Sequence, residues 1–332
     1  MKTISVQTGG KLYIAGEYAI LTPGQTAIIK NIPIYMTAQV REARTIHLFS
    51  DMFDAGADMT PNSDYSLIQQ TIKTLAACLG KSLEELPAFD LRITGKMERD
   101  GKKFGIGSSG SVTVLTLKAL SAFYDLNLSA NTIFKLASYT LLKMGDNGSM
   151  GDIACITYED LVAFTSFDRQ KVASWIATES IQEVLAKDWG YRIDILKPAL
   201  ACDFLVGWTR QPSISKDMIC LVKSAITPDF LKDTQNQVLI CQEALQTGDK
   251  DVIKTSLQKV SDLLLGLSPA IYNDTLKTLK AAEEGLDVIA KSSGSGGGDC
   301  GIALSFNQTD TKTLIKRWED AGIVLLDLEE LA

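Results

Sequence analysis

Apolar and polar positions alternate in pairs along the first third of the chain. KLYIAGEY, AIIKNIPIYMTAQV, TIHLFSDM and FDLRITGKM are β-branched or aromatic runs with partial alternation, which predicts strands. Between the last two, a helix is predicted over 64–79, opening at SDYS. The period then becomes helical over 109–124, where Val112, Leu115, Ala119 and Phe123 share one face. NTIFKLASYTLLKM, 131–144, reads as a second helix, and IACITYEDLVAFTSF as a hairpin with Glu159 and Asp160 in its turn. Pro198 interrupts the pattern in LKPALACD and marks a domain boundary, giving units 1–198 and 199–332. Beyond it come a strand in DFLVGWT, amphipathic helices over 213–290, a strand in GIALSF, a helix over 311–321 and a final strand in IVLLDLEEL. This order predicts an α+β protein rather than a doubly wound sheet.

Three glycine-rich stretches break the pattern: GIGSSGS (105–111), GDNGSMGD (145–152) and KSSGSGGGDCG (291–301). The first fits G-x-G-x-x-G at Gly105, Gly107 and Gly110. A dinucleotide fingerprint, however, follows a buried strand, and KMERDGKKF is too charged to be one. A Walker A loop fails as well, because Ser111 stands where its lysine belongs. Two readings stay open. One is an anion site built from backbone N–H groups, a helix N-terminus and the hydroxyls of Ser108, Ser109 and Ser111. The other is a serine-capped turn. Three such loops in one chain favour a single polyphosphate-shaped cleft.

Composition narrows the partners. The chain has 332 residues, 45% hydrophobic and 22% charged, enough for a large core and against disorder. Its net charge of -7 argues against a nucleic acid partner, although local lysines can still serve a small anion. No run of 18 apolar residues predicts a membrane span, and MKTISVQTGGKLYIAGEY lacks a signal-peptide core, so a cytoplasmic protein is expected. The six cysteines, none in C-x-x-C, read as unpaired thiols. With His47 as the single histidine, acid–base chemistry falls to Asp, Glu, Lys or Tyr.

Taken together, KLYIAGEYAIL (11–21), GIGSSGS and SSGSGGGDCGIAL (292–304) resemble the three motifs of the GHMP small-molecule kinases, in order and across nearly the whole chain. Each motif is weak alone. Tyr18 replaces the usual mevalonate kinase histidine, and SDMFD (50–54), NGSMGD, SFDRQKVASW (166–175) and DFLVGWT (203–209) are similar to bacterial-type phosphomevalonate kinases. The resemblance implies an N-terminal α/β domain like ribosomal protein S5 domain 2, a C-terminal ferredoxin-like α+β domain, and an active site between them. It implies transfer of the ATP γ-phosphoryl group to 5-phosphomevalonate with Mg²⁺, in isoprenoid biosynthesis, without nucleic acid or membrane partners. A mevalonate kinase or another GHMP kinase is the alternative, and a non-catalytic relative is disfavoured by intact Lys11 and Asp152.

The resemblance also implies roles. Lys11 lies near the transferred group. Asp152 falls where mevalonate kinases carry their catalytic aspartate. A phosphate acceptor is already ionised near neutral pH, so Asp152 is expected to orient Lys11, with proton removal optional. The ATP phosphates fall on Gly105, Gly107, Ser108, Ser109, Gly110 and Ser111, with Ser109 or Ser111 on the metal. Lys103, Lys102, Ser149, Ser293, Gly294, Ser295 and Gly296 are expected around the acceptor. The chain departs from the mevalonate kinase pattern at SYTLLKM, where no acid stands near Leu141 to help hold the metal. Glu17 is expected as a structural partner at the cleft, and Trp208 as core or cleft wall.

Overall fold

The computed structural model describes residues 3–213 and 215–331. Its first sheet is organised by one long strand, Thr26–Glu42. Along one edge this strand pairs antiparallel with Thr3–Ala15. Its other edge is shared, with Leu161–Thr165 on the early residues and Phe89–Thr94 on the late ones. His47–Ser50 adds parallel to Phe89–Thr94, and Arg192–Ile195 adds antiparallel to Leu161–Thr165. The second sheet is antiparallel throughout, in the order Val288–Ser292, Cys300–Ser305, Asp203–Trp208, Val324–Glu330. Strands of the first sheet lie within 3–195 and those of the second within 203–330. The architecture is α+β.

The helix Ser108–Phe123 packs on the first sheet, and Ser66–Cys78 and Ala130–Lys143 pack against it. Ser108–Phe123 was expected to have one apolar face. Instead, 12 of its 16 residues are buried, because it touches two strands and both neighbouring helices. Its polar side chains survive there by bonding within the helix: Thr113 donates to the Ser109 carbonyl and Thr116 to the Val112 carbonyl. In the second half, Pro228–Thr247 and Lys250–Leu267 pack on each other, and Asp274–Ala281 and Gln308–Asp320 lie against the second sheet.

One expectation is overturned. IACITYEDLVAFTSF is not a hairpin: Gly151–Tyr158 is a helix and only Leu161–Thr165 is a strand. The helix runs between left-handed Met150 (φ 66°) and left-handed Glu159 (φ 56°), and six of its eight residues are buried. A short segment enclosed on all sides shows neither period, so its β-branched composition misleads. The correction moves Asp152 into the first turn of a helix. The cysteines are unpaired. His47 is exposed, 3.2 Å from Asp90 on the first sheet, and lies apart from the glycine-rich loops. No helix among the described residues is long and apolar enough to cross a membrane.

Candidate active site

The site begins where the first strand passes beneath the GIGSSGS loop. The Lys11 amide donates to the Ile106 carbonyl at 2.8 Å, and a Cβ on Gly10 would lie 2.7 Å from Ile106 Cδ1. Only glycine lets the loop lie this close to the strand. Gly107, with φ 89°, then turns the chain into the helix Ser108–Phe123. A Cβ on Gly107 would sit 3.0 Å from Lys11 Cε, and one on Gly110 would sit 3.0 Å from Asp152 Oδ2. The bare backbone at the start of this helix is therefore flanked by an ammonium and a carboxylate. The first-turn N–H groups of a helix and its dipole favour an anion at this place.

The electrostatics around Lys11 come from both halves of the molecule. Burial pushes the Asp152 carboxyl above its ordinary range, Asp146 adds to this, and Lys11 opposes it. Asp299, in the third glycine loop, is likewise pushed up by burial and held back by Lys11. Its carboxylate fills the place that a Cβ on Gly105 would take, so it rests directly on the phosphate-type loop. Asp299 was not among the residues expected here. Its signal was an acid in a stretch otherwise nearly without functional side chains. Tyr13 completes this wall, with its hydroxyl 2.9 Å from Ser149 Oγ and its acidity suppressed by burial and by Asp152.

Several expected residues gather here and others do not. Lys11, Asp152, Ser149, Gly294 and Ser295 line one cleft, with Tyr13, Glu17 and Tyr18. Ser108 and Ser109 occupy the first turn above Lys11, and Ser109 is exposed. Ser111 is fully buried and donates to the Gly9 carbonyl at 2.6 Å, fastening the helix to the first strand. Ser293 is buried and donates to the Tyr13 carbonyl at 2.8 Å. Lys102 and Lys103 do not line the cleft. They form the exposed second strand of a small hairpin with Glu98–Arg99. The Gly296 carbonyl accepts from Ser213 Oγ at 2.6 Å, so this residue too is engaged in holding the loop.

Comparison with known proteins fits this geometry. Residues 66–160 match the GHMP kinases N terminal domain. A solved structure of Streptococcus pneumoniae phosphomevalonate kinase in complex with phosphomevalonate and AMPPNP is 53% identical, with a TM-score of 0.96 over 98% of this chain and 99% of the other. The chain belongs to the phosphomevalonate kinase family of GHMP kinases. A phosphomevalonate kinase of Streptomyces sp. (strain CL190) is 29% identical over 98% of this chain and 97% of its own length. The mevalonate kinase of Methanococcus jannaschii shares the fold, at 21% identity and a TM-score of 0.75 over 100% of this chain and 99% of the other.

In this GHMP kinase the first and third motifs are joined behind the cleft by a buried ion pair. Glu17 and Lys291 are 3% and 1% exposed and directly bonded, and Lys291 also donates to the Ser292 carbonyl at 2.6 Å. Burial pulls the Lys291 ammonium down while Glu17 holds it up. Tyr18, whose φ of 62° turns its ring toward the second half, donates to the Ser295 carbonyl. Glu17 was expected as a structural partner; its mate Lys291 went unnoticed, because a lysine in a loop-like sequence signals solvent. Trp208 is core, 2% exposed, and meets Phe104 edge to face at 5.1 Å just ahead of the GIGSSGS loop.

Proposed function

We propose that the chain transfers the γ-phosphoryl group of ATP to the phosphate of 5-phosphomevalonate, releasing 5-diphosphomevalonate and ADP in the cytoplasm, where ATP is available. The supporting observation is the placement of Lys11 beside Gly107 and of Asp152 beside Gly110 at the start of one helix. Phosphoryl transfer needs positioning and charge neutralisation more than covalent help. The amides opening the helix Ser108–Phe123 receive the ATP phosphates, with Gly105 and Gly107 making room for Asp299 and Lys11 beside the loop. An oxygen of the acceptor phosphate forms a bond to the γ-phosphorus while the bond to the β,γ-bridging oxygen breaks, and its electron pair leaves with ADP. Lys11 neutralises charge that would otherwise keep two phosphates apart. The attacking oxygen is already ionised, so Asp152 serves chiefly to hold Lys11 in place.

Mg²⁺ is part of this reading. It takes hard oxygen ligands and retains several waters. The exposed Ser109 hydroxyl and the Asp152 carboxylate fit such an ion; the buried, bonded Ser111 hydroxyl does not. No group of three or more His, Cys, Asp or Glu side chains among the described residues is arranged to hold a metal. The ion would therefore rest largely on phosphates and water, and when bound it neutralises phosphate charge. Residues 1–198 carry the nucleotide in this reading, and 199–332 close the acceptor side through Gly294 and Ser295. The test is ADP release measured with 5-phosphomevalonate and with mevalonate, with and without Mg²⁺. Turnover of 5-phosphomevalonate that requires Mg²⁺ is expected; turnover of mevalonate alone overturns the reading.

A further inference from the structure

SFDRQKVASW contains a cation with no role in the phosphoryl transfer. Arg169 opens the helix Arg169–Thr178. Its Nη2 donates to the Leu21 carbonyl at 2.8 Å, while Nη1 is buried with no hydrogen-bond partner among the described residues. Burial draws its guanidinium below the ordinary arginine range, with Tyr13, Asp146 and Asp168 opposing. The two nearby acids are already engaged with amides. Asp146 accepts from the Gly148 amide at 2.6 Å, and Asp168 caps the helix by accepting from the Lys171 amide at 3.0 Å. A half-buried guanidinium with a buried, unmet Nη1 is costly by itself and suited to a planar anion.

Its position says which anion. Arg169 lines a cavity of about 430 Å³ with Leu21, Pro23, Leu142, Asp146 and Asn147. Leu21 also lines the catalytic cleft, so the two spaces adjoin. Tyr13, which lines the catalytic cleft, is also an electrostatic neighbour of Arg169. The acceptor in the proposed reaction is anionic at both ends. Its phosphate end has to meet Lys11, so its carboxylate end has to lie away from the phosphate loop. We propose that Arg169 Nη1 binds the carboxylate of the acceptor and selects for it. This rests on the phosphomevalonate kinase function proposed for the same cleft.

The experiment compares 5-phosphomevalonate with its carboxamide, a neutral isostere, in the unaltered enzyme, Arg169→Gln and Arg169→Lys. The quantity read is the ratio of kcat/KM for acid over amide. It is internal to each protein, so a partly unfolded variant does not distort it. The unaltered enzyme is expected to favour the acid by about 10–100-fold, as a charge-assisted hydrogen bond does. In Arg169→Gln the ratio should fall close to one, with the KM for ATP unchanged, and Arg169→Lys should keep part of it. A ratio in Arg169→Gln equal to that of the unaltered enzyme overturns the proposal alone. Absence of turnover of 5-phosphomevalonate by the unaltered enzyme overturns the proposed function and this assignment with it.

Discussion

The loops at 105–111 and 293–299 are alike in composition and different in use. The first leads into a helix, so its last residues present N–H groups that have no partner within the helix. Around it, the places where side chains would project are taken by Lys11, Asp152 and Asp299. The second leads into the strand Cys300–Ser305, and its backbone is tied down on several sides. Carbonyls of Ser295, Gly296 and Gly297 accept from Tyr18, Ser213 and Asn273, and the Gly297 amide donates to the Ile271 carbonyl. Glycine serves close approach in both. The element after each loop, helix or strand, decides whether the loop's amides face a ligand or the protein. In the proposed function the first loop receives; the second is a template clamped to the first strand.

The sharpest way to break this comparison is to cut the clamp. Glu17→Gln leaves the Lys291 ammonium buried without its counter-charge. Breaking such a pair costs about 3–5 kcal/mol. Chemical denaturation should show this loss, and Glu17→Leu combined with Lys291→Met should recover most of it. Additive losses would show that the pair is not the clamp.

On the receiving side, Lys11→Ala should lower kcat by about 10²–10³-fold, comparable to removing one preorganised donor. The KM for ATP should move less. A coupled ADP assay with circular dichroism as the folding control decides it. Near-normal turnover would remove Lys11 from the chemistry.

Asp152→Asn should lower kcat by less than about 10²-fold, since general-base help is worth about 10²–10⁴ where it is needed. The same change should stabilise the fold at neutral pH. The folded-state acidity of Asp152 is weaker than that of the unfolded chain. Its contribution to stability is therefore lost as pH rises from the ordinary carboxylate range through the raised folded value. Asparagine has no such loss. The Tm difference in favour of the variant should open with rising pH and vanish in acid. A Tm difference independent of pH would contradict the raised pKa of Asp152.

Ser111→Ala and Ser109→Ala separate anchoring from ligation within the receiving loop. The first strips the Gly9 carbonyl of its donor and should cost about 1–3 kcal/mol, with the Mg²⁺ requirement unchanged. The second should leave stability alone and raise the Mg²⁺ concentration needed for half-maximal rate. An exchange of these phenotypes would reverse the assignment. The smallest effect is expected at Gly294, whose φ is 72° and whose Cβ would meet nothing within 4 Å. Gly294→Ala should cost only backbone strain, about 1 kcal/mol. At Gly296 the Ile271 carbonyl lies 2.5 Å from such a Cβ, so Gly296→Ala should be distinctly worse by the same denaturation measurement.

Most strands of the first sheet and most helices were legible because one buried face imposes a period on the sequence. The helix Gly151–Tyr158 was not, since burial on every side erases that period. The site was legible as three motifs, with Lys11, Asp152, Ser149 and Ser109 brought to one region. The inward bonds of Ser111 and Ser293 share a cause. Ser111 and Gly9 are 102 residues apart, and Ser293 and Tyr13 are 280 apart. A hydroxyl next to a glycine has the same sequence signature whether its partner is a phosphate or a distant carbonyl. Lys103 lies close to the loop in sequence, yet its hairpin points it to solvent.

By itself, the sequence determined the α+β class and the kinase family, because periodicity and glycine spacing are local properties of the chain. Only the tertiary structure decided which polar atoms face the cleft. It set Asp299 against Gly105, buried Lys291 on Glu17 and left an Arg169 donor unmet, since hydrogen-bond partners and desolvation are fixed by residues that meet only when the chain folds.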